Sequence, residues 1–381
     1  MLSLDDFEQA AKRHLPRPVF GYVAGAAETD WSFRDNRAAF AEYGFLPRML
    51  VDVSQRSQAI TLFGRTYASP FGIAPIGISA LYAYRGDLVL AHAAAQANIP
   101  MVMSASSLIR LEEVAARSPA AWFQAYLPGD VAQITPLIER VARAGFDTLV
   151  VTVDSQVAGN RENNVRAGFS TPLRPTLRLA FDGITHPRWL AGTFARTLVR
   201  HGMPHFENNF ATRGAPILSP NVLRDYSDRG HLHWGHWRMV RDQWKGTLVI
   251  KGILDPRDAV RARDFGADGI VVSNHGGRQL DGAVAALRAL PAIVEACPDL
   301  PVMIDGGIRR GTDVLKALAL GARCVFLGRS FGFAAAIAGE PGVRHAISLL
   351  ASEIDRDMAM LGITRLDELD SDWLVRVARA G

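Results

Sequence analysis

The chain has 381 residues, 49% hydrophobic and 21% charged, a composition that supports a large packed core and excludes disorder. Its 42 basic and 38 acidic residues leave a net charge of only +4. No tract mixes basic and aromatic residues, so nucleic-acid binding is not expected.

In chain order, the stretch MLSLDDFEQAAKRHLP predicts an acidic, amphipathic helical segment and lacks the charged head and apolar run of a signal peptide. No uncharged apolar run reaches the roughly 18 residues of a spanning helix. From residue 70, short β-branched runs recur: Phe71–Ile76, Pro100–Ser104, Trp122–Tyr126, Thr148–Asp154, Thr247–Gly252, Gly269–Asn274, Pro301–Gly306 and Cys324–Gly328. Between most of them lie segments with helical spacing, such as Asp87–Ala97, Thr135–Ala144, Pro256–Phe265 and Thr312–Leu320. Strands that are apolar throughout are buried on both faces, as in a parallel sheet. Eight of them alternating with helices predict an α/β fold, a (β/α)8 TIM barrel spanning about 70–345 within one domain of residues 1–381. A doubly wound open sheet fits less well, because no G-x-G-x-x-G follows a strand. The two cysteines, Cys297 and Cys324, match no metal-ligand or disulfide spacing, and a reducing, cytoplasmic setting fits them.

One interval breaks the rhythm. Between the fourth and fifth strands lies an insertion of about 170–232, and a loop of that length is uncommon unless functional. From Thr171 to Arg213 it holds six arginines, at 174, 178, 188, 196, 200 and 213, against two acids, Asp182 and Glu207, with Trp189, Leu190, Phe194 and Leu198 between them. Charge plus apolar area suits peripheral contact with an anionic membrane; a solvated loop or a subunit contact is the plainer reading. Further on, His231, His233 and His236 look metal-like, but their spacing matches no strong ligand motif and no cysteine or paired acid is near. Trp234, Trp237 and Trp244 point instead to an amphipathic helix start, and no metal is expected.

A barrel presents its reactive groups at the carboxyl ends of its strands. Here those ends read Pro75-Ile76-Gly77, Ser104, Gln124 and Tyr126, Thr152 and Asp154, Lys251, Ser273-Asn274-His275, Asp305-Gly306-Gly307, and Gly328-Arg329. Nearly all are polar or glycine where a buried strand leaves the core. The loops after strands seven and eight are the usual barrel phosphate site. Asp305-Gly306-Gly307, running on to Arg309, and Gly328-Arg329 offer backbone N–H groups and guanidiniums to such an anion, although tight turns with exposed arginines would read the same way. Lys251 could form a Schiff base, stabilise an anion or pair with a carboxylate. His275, at a strand end and flanked by glycines, titrates near neutral pH and suits a catalytic base. Arg278, three residues on, suits a carboxylate substrate. Asp154 could orient the imidazole or simply cap a turn.

At these residues the chain resembles the FMN-dependent 2-hydroxy acid dehydrogenase and oxidase family. The resemblance runs from Leu15-Pro16 and Gly21-Tyr22 through Gly25-Ala26-Ala27-Glu28, Trp122-Phe123-Gln124-Ala125-Tyr126, Ser273 through Asp281 and Asp305 through Asp313 to the last helices. It implies an enzyme that oxidises an L-2-hydroxy acid to the 2-oxo acid with FMN. His275 is then the base, paired with Asp154; Arg161 and Arg278 hold the substrate carboxylate; Tyr22 and Tyr126 line the substrate, Tyr126 at its hydroxyl. Ser104, Gln124, Thr152, Lys251 and Ser273 contact the ring or ribityl part, with Pro75, Ile76 and Gly77 beside them. Asp305, Gly307, Arg309, Gly328 and Arg329 hold the ribityl and phosphate end.

Gly77 and the segments His186-Pro187-Arg188-Trp189 and Gly202-Met203-Pro204 resemble the membrane-associated lactate and mandelate dehydrogenases. That implies electrons passed to a membrane quinone, with the chain peripheral on the cytoplasmic face of the inner membrane. An oxidase that reduces O2 to peroxide is the alternative. Ser106 and Ala158 stand where glycolate oxidase carries bulky residues, leaving room for a mandelate-like side chain, whereas Trp244 to Asp281 looks more like the lactate enzyme. A homotetramer is implied as well. A barrel that merely binds a phosphate ligand would leave His275 and two arginines without a purpose.

Overall fold

The computed structural model describes residues 1–170, 174, 176–219 and 229–377. At its centre lie eight strands: β1 (Phe71–Ile73), β2 (Val102–Ser104), β3 (Trp122–Ala125), β4 (Thr148–Thr152), β5 (Thr247–Ile253), β6 (Gly269–Val272), β7 (Val302–Asp305) and β8 (Cys324–Leu327). From β2 to β8 each pairs in parallel with the next. β8 pairs with β1, Val325 opposite Phe71, and an Ile73–Met101 bridge joins β1 to β2, closing the ring. All eight expected strands are present. Seven are shorter than their apolar runs, because the last residues of most runs leave the ladder for the barrel mouth, and β5 runs one residue longer, to Ile253.

Alternation along the strands divides the core in two. Val102, Trp122, Val150, Val249, Val271, Met303 and Phe326 point into the barrel. Their neighbours, among them Met103, Phe123, Val151, Ile250, Ile270, Ile304 and Val325, face the surrounding helices. A hairpin of Ile60–Leu62 and Arg65–Tyr67 seals the amino end of the barrel, with Leu62, Phe63 and Tyr67 packed on the interior cluster.

Three helices precede the barrel: α1 (Leu4–His14), α2 (Arg17–Ala24) and α3 (Trp31–Ala38). The described part of the insertion is helical from Leu177 to His201 and irregular from 202 to 219: α4 (Leu177–Ile184) is followed by a helical stretch from Pro187, with a π-turn over Leu190–Ala195, into α5 (Arg196–His201). Residues 171–173, 175 and 220–228 of that interval lie outside the described residues. α6 (Trp234–Gln243) then leads into β5, with Trp237 buried along it and Trp244 buried just beyond. The final helix, α7 (Arg329–Leu361), runs past the expected limit near 345, through a break at Ala338 and Gly339 just ahead of Pro341. The strand Leu374–Arg376 pairs antiparallel with Tyr43–Phe45. Among the described residues, no helix is long and apolar enough to cross a membrane.

Candidate active site

Period-two alternation builds the site. Two residues beyond the inward-facing Val102, Trp122, Val150, Val249, Val271 and Met303 stand Ser104, Gln124, Thr152, Lys251, Ser273 and Asp305. The apolar layer therefore gives way, on the same inward faces, to a polar layer at the carboxyl ends. Two residues further on in four of these strands come Tyr126, Asp154, His275 and Gly307.

This layer floors a cleft, partly open to solvent, with a cavity volume of about 130 Å³. Pro75, Ile76, Gly77, Ser104, Thr152, Lys251, Asp305, Gly307, Arg309, Gly328 and Arg329 line it, as do Tyr22, Tyr126, Arg161, His275 and Arg278. Gln124 and Ser273 stand one step behind. Gln124 Oε1 accepts from the Ser104 hydroxyl at 3.3 Å, and Ser273 Oγ accepts from Lys251 Nζ at 2.8 Å. Ser106 also lines the cleft, but Ala158 is exposed and does not, so only the first of these small residues can set its width.

His275 lies at φ 58°, a left-handed conformation that a Cβ disfavours. Its turn is held from behind. Ser273 Oγ accepts the His275 N–H at 3.0 Å, and Asn274 Oδ1 accepts the Gly277 N–H at 3.1 Å. Asn274 is fixed in turn by buried Asn36 of α3, whose Nδ2 lies 2.7 Å from its Oδ1. Gly277 is required where it stands, because a Cβ there would meet the Phe33 backbone nitrogen at 2.6 Å.

The imidazole Nδ1 lies 2.8 Å from Asp154 Oδ1. A carboxylate accepts, so Nδ1 carries the hydrogen and Nε2 presents its lone pair to the cleft, 3.5 Å from the Tyr126 hydroxyl. Burial holds the His275 pKa below the usual imidazole value, outweighing the opposing effect of Asp154. Burial would raise the Asp154 carboxyl, yet the charge of His275 and the bond to it, together with Lys251, hold it below the usual range. Asp154 fits here because residue 252 is glycine, at φ 108°; a Cβ would come within 2.8 Å of the aspartate side chain.

Lys251 pairs with Asp305 at 3.0 Å, both buried, which favours the ion pair over a free amine for a Schiff base. Arg161 donates to the Arg278 carbonyl at 3.0 Å and to Gln279 Oε1 at 2.8 Å. Arg278 donates to the carbonyls of Tyr22 and Gly25. These bonds splice the amino-terminal segment onto the mouth of the barrel. Sequence reasoning found Tyr22 through family likeness, but missed Asn36 and Val23; a buried polar residue within a short helix was the available sign of the first.

The charges say what the cleft can hold. Among the described residues, its lining carries five cations, Arg161, Lys251, Arg278, Arg309 and Arg329, and one carboxylate, Asp305. Arg329 donates to the carbonyls of Val23, Gly276 and Gly25 and has no carboxylate partner there. Burial, and after it the charges of Arg278 and Arg309, press its pKa well down. A phosphate dianion would relieve this repulsion, and a substrate carboxylate would offset more of the excess. Gln124 Nε2, Thr152 Oγ1 and Asp305 Oδ1 are buried without hydrogen-bond partners in the protein, a cost that a bound polar group removes. An FMN phosphate, ribityl chain and ring edge supply the required anion, hydroxyls and acceptors, so the residues fit that cofactor.

Two of the three clustered histidines cap the start of α6. His233 Nδ1 accepts the Gly235 N–H, and His236 Nδ1 accepts the His233 N–H, both at the start of α6.

A family model described as FMN-dependent dehydrogenase matches residues 11–376. The L-lactate dehydrogenase of Caulobacter sp. (strain K31) is 40% identical over 386 residues, covering 99% of each chain. That of Xanthomonas campestris pv. campestris (strain B100) is 41% identical over 383 residues, covering 98% of this chain and 97% of its own. Among solved structures, one described as the monotopic membrane protein (S)-mandelate dehydrogenase superposes with a TM-score of 0.88 at 34% identity, over 99% of this chain and 100% of its own. A mandelate oxidase bound to (S)-2-phenylpropionate superposes with a TM-score of 0.80 at 36% identity, over 98% of each.

Proposed function

The chain belongs to the FMN-dependent dehydrogenase family and is an FMN-dependent 2-hydroxy acid oxidoreductase; on that premise we propose that it oxidises a lactate- or mandelate-like L-2-hydroxy acid, with His275 as base and a membrane quinone as electron acceptor. The observation that carries the site assignment is the His275–Asp154 pair facing a cleft with four cations in excess.

Arg161 and Arg278 bind the substrate carboxylate, and this fixes the α-carbon. The hydroxyl then meets His275 Nε2 and the Tyr126 hydroxyl. Neutral at physiological pH, His275 takes a proton from the substrate at Nε2, and Asp154 stabilises the imidazolium that results. Bound FMN supplies the two-electron acceptor of the reaction. Gln124, Thr152 and Asp305 would meet its ring edge and ribityl hydroxyls, Lys251 would set a positive charge beside them, and Arg309 and Arg329 would hold its phosphate. The remaining residues named from family likeness, Pro75, Ile76, Gly77, Ser104, Ser273, Gly307 and Gly328, shape and support that cradle.

The insertion gives this protein a membrane-facing surface in our reading, though through other side chains than the sequence suggested. Trp189 turns inward, 7% exposed, and donates to the Leu81 carbonyl at 2.7 Å; Leu190 and Phe194 pack on the core. Helical phase instead turns out Leu177 (93% exposed), Phe181 (66%), Ile184 (68%) and Val199 (85%). Exposed Arg178, Arg188 and Arg200 accompany them, whereas Arg213 pairs with Glu207. Apolar area beside arginines suits an anionic bilayer. The family likeness supports reading the protein as a single-domain homotetramer, peripheral on the cytoplasmic face of the inner membrane.

Anaerobic addition of glycolate, L-lactate and L-mandelate in parallel tests the reading. The yellow flavin spectrum is expected to bleach with one or more of them; folded protein that takes up no FMN, or whose spectrum none of them changes, would overturn it. Vesicles of anionic lipid should bind the protein, and a Phe181→Ser, Ile184→Ser double variant should stay in solution. The mandelate oxidase likeness keeps direct O2 reduction as a second reading, distinguished by rapid peroxide formation under air.

A further inference from the structure

A second cleft, partly open to solvent and with a cavity volume of about 450 Å³, lies against the first. The two share Tyr126, Thr152 and Ser155, so they adjoin at these residues. We propose that this second cleft binds the ring of the quinone acceptor, next to but distinct from the 2-hydroxy acid site. This rests on the acceptor reading above and adds its location.

The chemistry of the walls selects a flat, largely apolar ring. Trp234 and Trp237 of α6 and Leu232 form one side, and the outward faces of β4 and β5 form the other. Polar groups stand among them, Gln156, His233, Asp154, Asp258 and Arg229 included, so apolar contact can hold the ring while these groups orient it. The groups present suit both redox forms of a quinone. His233 accepts the Gly235 N–H at Nδ1, which leaves its other nitrogen carrying the hydrogen, a donor for a quinone carbonyl. Gln156 adds amide donors. Asp154 lines this cleft and not the first, and its Oδ2 is buried without a partner in the protein. That oxygen can accept from a hydroquinone hydroxyl.

Reactants balance without a further co-reactant. As its C–H and O–H bonds break and its carbonyl forms, the 2-hydroxy acid releases two electrons and two protons. A quinone takes up two of each, forming two O–H bonds. His275 holds one of the protons, and Asp154, bonded to it at 2.8 Å, joins the base to the second cleft. The rim of this cleft at Leu232 and His233 is also where the chain returns from the insertion proposed to meet the membrane, so a quinone held there can keep its tail in lipid.

The test separates the two half-reactions of the holoenzyme by stopped flow, in wild type and in Leu232→Trp and Gln156→Trp variants that fill the cleft. Anaerobic reduction by the best 2-hydroxy acid and re-oxidation by ferricyanide should stay within about twofold. Re-oxidation by a benzoquinone carrying one isoprenoid unit should slow by about tenfold or more. If the quinone re-oxidises wild type and both variants equally, the location is wrong and the acceptor reading stands. If it does not re-oxidise wild type, both fall. Photolabelling of wild type by an azido-benzoquinone, before and after FMN loading, gives a readout that needs neither turnover nor the variants. Label in the Leu232–Trp237 segment is expected; label confined elsewhere would overturn the proposal.

Discussion

Asp154→Asn isolates the electrostatic part of the catalytic pair. The side chains are only 17% and 13% exposed and their contact is 2.8 Å, so solvent screens them little. With charge centres about 4 Å apart and an effective dielectric near 20, a carboxylate stabilises an imidazolium by about 4 kcal/mol, which is about three powers of ten in rate. Asparagine keeps the shape and can still accept from Nδ1, but removes the charge. We expect flavin reduction by the 2-hydroxy acid to slow by about 10²–10³-fold, with FMN retained. The pH dependence supplies a sign that a packing defect would not reproduce. Asp154 raises the His275 pKa, so its loss must move the acid limb of the reduction rate to lower pH while the plateau falls. Anaerobic stopped-flow spectroscopy across pH measures both. A reduction rate within about fivefold of wild type, or an acid limb displaced upward, would refute the assignment of Asp154.

Three further outcomes follow from the same geometry. In wild type, kcat/KM should fall as acid protonates His275, with the limb below the usual imidazole value because burial disfavours its charge; an acid limb above that value would contradict the buried base. Arg329→Met should weaken FMN binding by about 2–3 kcal/mol, on the order of 30- to 150-fold, with Arg329→Lys restoring only part because the fork is lost; flavin fluorescence titration reads this directly. Burial pushes Asp87 up from 3.8 to about 6, against the Ser107 and Ser79 hydroxyls. Its contribution to stability is then fully present below about pH 4 and is lost as pH rises through about 6, up to about 3 kcal/mol. Urea unfolding at pH 4.5 and 7.5 should show Asp87→Asn flattening that loss and raising stability at the higher pH.

The barrel and the polar ring at its mouth were legible in the chain itself, because strand alternation is local. A Val, Trp or Met that faces inward makes the residue two places on face inward too, and the chemistry of Ser104, Thr152, Lys251 and Asp305 can be read from that parity. The insertion was less legible. Its arginines and apolar residues were visible, but not which of them face out, and Trp189 was misjudged because its place in the core depends on a carbonyl at Leu81, far away in sequence. Ala158 was misjudged for the same reason. It is small and near the site in sequence, yet it lies outside the cleft.

Sequence by itself determined the fold class, the eight strand ends and the reaction family, since these rest on periodicity and on contiguous segments such as Ser273 through Asp281. Only the tertiary structure decided how α2 lines the cleft and how α3 backs the His275 turn. It also set which arginines lack a carboxylate partner, which buried polar atoms await partners, and that Asp154, bonded to His275 of the first cleft, lines the second. These depend on distances between residues far apart in the chain, such as Asn36 and Asn274 or Asp154 and His275. Hydrogen bonds and ion pairs reach only a few ångströms, so no local pattern encodes which distant groups will meet.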